Sequence, residues 1–230
     1  MFKEVSVLLP YKADNGWRSA VFEWVIRYYR ETMPEAEICV GENADEPFNR
    51  SKAINAAARK AARRVFVLAD GDVIYDPSLL VEAIQTLSHA PWVIPFNRVR
   101  DITKEKTEEL LRKDPCWPLP GLDERCTEGY MSEAFAGKIN IFTREAFEKA
   151  GGFDERFVGW GGEDDAFLSA MKTFNGPFVR LNRTVYHCWH PHAGPDSNPH
   201  YQANLALLER YHHAHGNPEA MRHVIGKEFK

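Results

Sequence analysis

Apolar residues in this chain arrive first as short unbroken runs and then as helical stripes, in alternation. Val5-Ser6-Val7-Leu8-Leu9-Pro10 is a run closed by proline, which predicts a strand buried on both faces. A polar loop, Tyr11 to Trp17, follows. Val21, Trp24, Val25, Tyr28 and Tyr29 then recur at the helical period until Met33-Pro34 ends the helix. Ile38 to Gly41 predicts a second strand. Asn49 caps a second helix with an inner face of Ile54, Ala57, Ala58, Ala61 and Ala62, and those alanines imply close approach to a neighbour. Val65 to Ala69 predicts a third strand that runs straight into Asp70-Gly71-Asp72. Asp76-Pro77 opens a third helix, with Leu80, Ala83, Ile84 and Leu87 facing in.

Three such alternations predict an α/β fold, a doubly wound and mostly parallel sheet flanked by helices. Sheets of this kind bind ligands beyond the carboxyl ends of their strands. The loops at those ends are Tyr11–Trp17, Glu42–Asn49 and Asp70–Asp76, all polar. The second half is less regular. Strands are expected at Trp92–Phe96, Lys138–Phe142 and Phe178–Leu181, and helices at Arg144–Ala150, from Glu163 onward, and at Tyr201–His213, the last clear one. Residues 97 to 132 are the least legible, with a charged helical patch at Lys104–Lys113 and a Pro/Trp/Cys-rich segment around Trp117.

Composition narrows the classes. The 230 residues suffice for one domain with an ample core, and neither an internal repeat nor a second domain boundary is visible. A net charge of −4 argues against a nucleic-acid partner held by bulk electrostatics. No apolar run approaches the roughly 20 residues of a membrane helix, and the start of the chain lacks a charged-then-apolar signal pattern. Cys39, Cys116, Cys126 and Cys188 are too scattered for a disulfide scaffold, so the expectation is a soluble, cytoplasmic protein.

The densest chemistry lies in Gly151-Gly152-Phe153-Asp154-Glu155-Arg156-Phe157-Val158-Gly159-Trp160-Gly161-Gly162-Glu163-Asp164-Asp165. Glycine serves where φ must be positive or a group must come close. Asp164, Phe167, Leu168 and Met171 share one helical face, so an apolar stripe begins with a carboxylate, which is costly unless something uses it. Attraction to the helix dipole explains any one of the three acids, but not the whole string. Asp70-Gly71-Asp72 closes a buried strand, and two acids around a turn residue can hold Mg²⁺ or Mn²⁺, although Asp-Gly is also a routine turn. His187 and His190 are separated by two residues and His192 follows; imidazole suits Mn²⁺ better than Mg²⁺. The bland account is a wet, His-rich surface, since His200, His212, His213 and His215 are scattered nearby. Zinc hydrolase chemistry lacks its usual signatures, His-Glu-x-x-His and Cys-x-x-Cys. In Phe48-Asn49-Arg50-Ser51-Lys52, Arg50 can reach a phosphate or a base and Phe48 can stack, but capping with surface charge explains the same residues.

Phe48-Asn49-Arg50-Ser51-Lys52, Asp70-Gly71-Asp72, Phe135-Ala136-Gly137, Gly152-Phe153 and Trp160-Gly161-Gly162-Glu163-Asp164-Asp165 occur in that order. Together they resemble the β-1,4-galactosyltransferase and N-acetylgalactosaminyltransferase group of GT-A glycosyltransferases, with its bacterial and phage relatives. The resemblance covers roughly residues 5 to 192. It implies a GT-A domain, the Rossmann-like fold of nucleotide-diphospho-sugar transferases, over 1–230, with a nucleotide-binding half at about 1–95 and an acceptor-binding half with mobile loops at about 96–215. It implies that Phe48 and Arg50 contact the nucleotide, that Asp70 lies near ribose or phosphate, and that Asp72 ligates Mn²⁺ (or Mg²⁺). Pro10, Lys12, Gly71, Gly137 and Gly162 would complete the donor site. Trp160 would cover donor and acceptor from a mobile loop, and Glu163 and Asp164 would bind acceptor hydroxyls, with Asp164 as base. The family's later metal ligands are a methionine and a histidine with two residues between them. Here that spacing offers His187 and His190, and the choice among His187, His190 and His192 stays open. The basic residue after the family's first strand appears as Lys12 in a differently built loop. The position that gauges the sugar's C2 substituent falls near Ala134, small enough for an N-acetylhexosamine.

The activity so implied is inverting transfer of a hexose or N-acetylhexosamine from a nucleotide-sugar, UDP-sugar before GDP-sugar, to an acceptor hydroxyl. The acceptor stays open among glycan, protein, small molecule and modified DNA. Burial raises the pKa of Asp164 and its first-turn position lowers it; the expectation is that the ionised form prevails. Two other readings remain, a nucleotidyltransferase and a non-catalytic sugar- or nucleotide-binding module of the same fold.

Overall fold

The computed structural model describes residues 2–119, 121–129, 135–191 and 194–226. The first half builds as its pattern predicts. Strand β1 (Val5–Tyr11) leads to helix α1 (Trp17–Thr32), β2 (Glu37–Glu42), α2 (Arg50–Lys60) and β3 (Val65–Ala69). The turn after β3 continues into a short β4 (Val73–Tyr75) and then α3 (Ser78–Thr86). Next come β5 (Trp92–Ile94), β6 (Arg98–Ile102), α4 (Lys104–Leu111), β7 (Cys126–Glu128), β8 (Ile139–Thr143) and α5 (Arg144–Lys149). The chain ends with α6 (Glu163–Asn175), β9 (Val179–Arg180), β10 (Thr184–His187), α7 (Tyr201–Ala214) and α8 (Pro218–Ile225).

Six strands form the main sheet in the order β2-β1-β3-β8-β5-β9. It is parallel from β2 to β3, while β8 runs antiparallel to both its neighbours. The core strands are apolar on both faces because helices cover both, and Val5, Val7, Leu8, Val67 and Ile141 have almost no exposed surface. The alanines of α2 do mark a close approach. A Cβ on Gly41 of β2 would sit 1.8 Å from the Ala53 carbonyl oxygen, so only glycine lets α2 lie this close. Ala61 and Ala62 fall beyond the end of α2 at Lys60, because the chain there is already extended, and Asp76-Pro77 forms the turn just before α3.

A second sheet of four strands, β4-β10-β6-β7, lies outside what the pattern predicts. Its strands are three to five residues long, too short to show a period. It brings the end of β10 beside the turn after β3: His187 pairs with Val73, and the Cys188 amide donates to the Asp72 carbonyl at 2.8 Å. Two buried tyrosines of α1 fix β4 from behind, Tyr28 donating to the Tyr75 carbonyl and Tyr29 to the Val73 carbonyl, each at 2.6 Å. Helix α8 is a further element beyond the last expected one, opened by the Asn217 cap and Pro218. No helix among the described residues is long and apolar enough to cross a membrane.

Candidate active site

The Asp70-Gly71-Asp72 turn leaves β3 at the carboxyl edge of the main sheet, as the alternation requires. Its glycine is needed for packing, since a Cβ there would lie 2.5 Å from the Phe22 ring, itself stacked on Tyr11 at 3.8 Å. Asp72 thereby faces the end of β10. One oxygen of Asp72 is 3.2 Å from His190 Nε2, and the other is 3.5 Å from His187 Nε2. The two Nε2 atoms are 3.1 Å apart.

These contacts define the chemistry. His187 Nδ1 is 2.9 Å from Asp101 Oδ1, and His190 Nδ1 is 2.8 Å from the Pro191 carbonyl oxygen. Neither oxygen can donate, so both Nδ1 atoms carry hydrogen and both Nε2 atoms of the neutral rings present lone pairs. Two lone pairs and a carboxylate then converge on one point. Asp72 Oδ1 is buried with no hydrogen-bond partner. In the bare protein a proton relieves the crowding. Burial works against a charged His187, but Asp72 and Asp101 outweigh it and push its pKa up to about 9, while Asp72 is held well below the ordinary carboxylate range. A divalent cation would satisfy the same atoms, and a donor set of two imidazoles and a carboxylate can hold Mn²⁺. The residues present therefore fit the ion. His192 and Ala134 lie outside the described residues.

Asp164 opens the inward face of α6, as the spacing predicts. Arg50, in the first turn of α2, donates to Asp164 Oδ1 at 2.8 Å and to Asp70 Oδ1 at 2.6 Å, and lies 3.6 Å from Glu163. A single guanidinium thus ties the end of β3 to the start of α6. The expectation that Asp164 is ionised at neutral pH is corrected here. Burial dominates, with repulsion from Glu163 and Asp70 adding to it against the attraction of Arg50, and the carboxyl is pushed up to about 7. Glu163 is raised as well, chiefly by burial. Gly137 lies beside Asp164: a Cβ there would be in ordinary van der Waals contact with Oδ2, at 3.5 Å.

A cavity of about 530 Å³ is bordered by Arg50, Asp72 and His190, whereas Asp70, Gly137, Gly162, Glu163, Asp164 and His187 are not in its wall. Pro10, Lys12, Phe48, Arg50, Asp72 and His190 are in its wall, and Gly71 and Trp160 also border it. Lys12 donates to Glu46 and to the Asp45 carbonyl, so its charge is already engaged. Phe48 presents its half-buried ring, and Trp160 is 45% exposed, its ring 5.8 Å from Tyr201. Gly162, at φ 95°, is the left-handed residue that starts α6. Two residues without any motif hold the Trp160 loop. Asn198 donates to the Val158 and Trp160 carbonyls at 2.9 and 2.7 Å. Asn204 donates to the Gly161 carbonyl at 2.9 Å and accepts from the Val158 amide at 3.2 Å. An asparagine on the buried side of a helix was the one available sign.

The family model described as the N-terminal domain of galactosyltransferase matches residues 124–192, from the approach to β7 through the two imidazoles. No curated protein sequence matches the chain. Among solved structures, the catalytic domain of Drosophila β1,4-galactosyltransferase 7, bound to xylobiose, is 18% identical with a TM-score of 0.56, over 81% of this chain and 71% of that one. A mutant of the same enzyme, in complex with manganese, UDP-Gal and xylobiose, gives 17%, 0.54 and the same coverage. TarS of S. aureus, in complex with UDP-GlcNAc, is 11% identical with a TM-score of 0.61, over 96% of this chain and 70% of that one. The fold is GT-A. The chain is similar to galactosyltransferases over residues 124–192, and within this GT-A fold Arg50, Asp72, His190 and Trp160 border one cavity.

Proposed function

We propose that this GT-A domain is an inverting, metal-dependent glycosyltransferase that moves a hexose or N-acetylhexosamine from a nucleotide-sugar, a UDP-sugar first, to an acceptor hydroxyl. The observation that carries the proposal is a cavity with Asp72 and His190 in its wall and, at Arg50, the tether to a carboxyl poised near neutrality. Asp72, His187 and His190 would hold Mn²⁺ (or Mg²⁺). The bound ion supplies positive charge that offsets what develops on a leaving diphosphate. Asp164 takes the proton of the attacking hydroxyl, and a pKa near the working pH is what a general base needs. Arg50 holds that carboxylate in place, Glu163 offers a second acceptor for hydroxyls, and Trp160 shields the cleft from water. A single displacement with Asp164 as base would invert the anomeric centre. Phe48 and Pro10 would flank the base of the nucleotide.

UDP-Gal in the Drosophila enzyme and UDP-GlcNAc in TarS support a UDP-sugar donor. A nucleotidyltransferase is less favoured, because a triphosphate calls for more free cations and Lys12 is engaged. The four cysteines are free, which suits a reducing compartment, and a cytoplasmic location is part of the proposal. A thermal-shift screen of UDP- and GDP-sugars, each with and without Mn²⁺, tests the donor. A Mn²⁺-dependent rise with one UDP-sugar, followed by slow UDP release, is expected. If no sugar nucleotide shifts the transition, the reading is wrong. A shift without any UDP release points to the binding module.

A further inference from the structure

We propose that Asp101 is a positioning residue of the metal centre, holding the His187 imidazole in the tautomer and orientation that present Nε2 to the cation. The inference rests on the reading of Asp72, His187 and His190 as a metal site.

Strands β6 and β10 run parallel, and their register sets His187 opposite Asp101. The carboxylate meets the ring at the nitrogen that faces away from Asp72, with Nδ1 and Oδ1 2.9 Å apart. A carboxylate accepts and does not donate, so in the neutral ring the hydrogen is confined to Nδ1 and the lone pair to Nε2. His190 is fixed in the same tautomer by a neutral carbonyl, that of Pro191. The two ligands therefore differ. The ring held by a full negative charge is the more firmly oriented.

The second sheet makes room for this carboxylate. Gly129, just past β7, has its amide on the Val99 carbonyl at 2.9 Å. A Cβ at Gly129 would come within 3.1 Å of Asp101 Oδ2 and 2.8 Å of Val99, so a larger residue would push against the acid. The competing account is a half-exposed salt bridge that only steadies the edge of the sheet. The Asp101 side chain is 43% exposed, and in that account its loss would not touch the ion.

The test is metal affinity in the full chain without donor or acceptor. Mn²⁺ is titrated by calorimetry and by the electron paramagnetic resonance of the free ion. Asp101→Ala is expected to bind Mn²⁺ about 10–100-fold more weakly than wild type, the usual effect of losing such a partner. Asp101→Asn keeps an acceptor for Nδ1 without the charge and should fall between the two. In the Co²⁺-loaded protein the visible bands of Asp101→Ala should shift, because one imidazole is no longer held. If Asp101→Ala does not fold, a several-fold loss of Mn²⁺ affinity in Asp101→Asn carries the same test. Unchanged affinity and an unchanged Co²⁺ spectrum overturn the inference while leaving the metal site standing. A wild-type protein that takes up no Mn²⁺ overturns both.

Discussion

Replacing Asp164 by asparagine is the sharpest perturbation of the proposed mechanism, because the structure dictates a pH dependence as well as a loss. With its carboxyl pushed up to about 7, Asp164 is about one-tenth ionised one pH unit below and about nine-tenths ionised one unit above. Only the ionised form can accept a proton. With Mn²⁺ saturating, which keeps the two imidazoles unprotonated, kcat/KM for UDP release should rise roughly tenfold from about pH 6 to about pH 8. Asp164→Asn should lower kcat/KM by about 10²–10⁴-fold and abolish that rise, with donor affinity unchanged in a calorimetric titration. Arg50 opposes the upward shift, so Arg50→Ala should move the acidic limb of the profile to higher pH. Stability should follow the same carboxyl. Its folded pKa lies above the ordinary 3.8, so the contribution is fully present below about 3.8 and is lost as pH rises through about 7. The thermal midpoint of Asp164→Asn relative to wild type should therefore increase between about pH 5 and about pH 8. A flat rate profile in the wild type, or one that survives in Asp164→Asn, refutes the assignment of the base.

Other outcomes follow from the same geometry. Asp72→Ala should eliminate Mn²⁺-dependent donor binding, and an unaltered calorimetric titration would count against the metal site. Asn204→Ala strips four hydrogen bonds from the Trp160 loop, and urea unfolding should show a loss of about 1–3 kcal/mol together with a higher KM for donor. Gly41→Ala drives a methyl into the Ala53 carbonyl, and denaturant midpoints should report a loss of more than about 3 kcal/mol or no folded protein at all.

Unbroken apolar runs and helical stripes determined the βαβ half of this molecule from the sequence alone. Burial along their length leaves little freedom in the pattern of β1 and β3, so both strands and the position of Asp70-Gly71-Asp72 at the sheet edge could be read directly. Asp164 on the apolar face of α6 was legible for the same reason. The second sheet was not, since strands of three to five residues whose partners lie far along the chain carry no local signature. Arg50 reads as a helix-opening base free for a nucleotide, and only the folded chain shows it bonded to both Asp70 and Asp164. The protonation of Asp164 was likewise a tertiary decision. Its place in the first turn favours the anion, but burial in the folded chain, with repulsion from Glu163 and Asp70, brings the two forms near balance at neutral pH. Asp101 sits in the least legible segment and gains a role only when β6 pairs with β10. Local pattern determined which acids end strands and start helices; the packing of distant segments decided which of them share a charge, a proton or an ion.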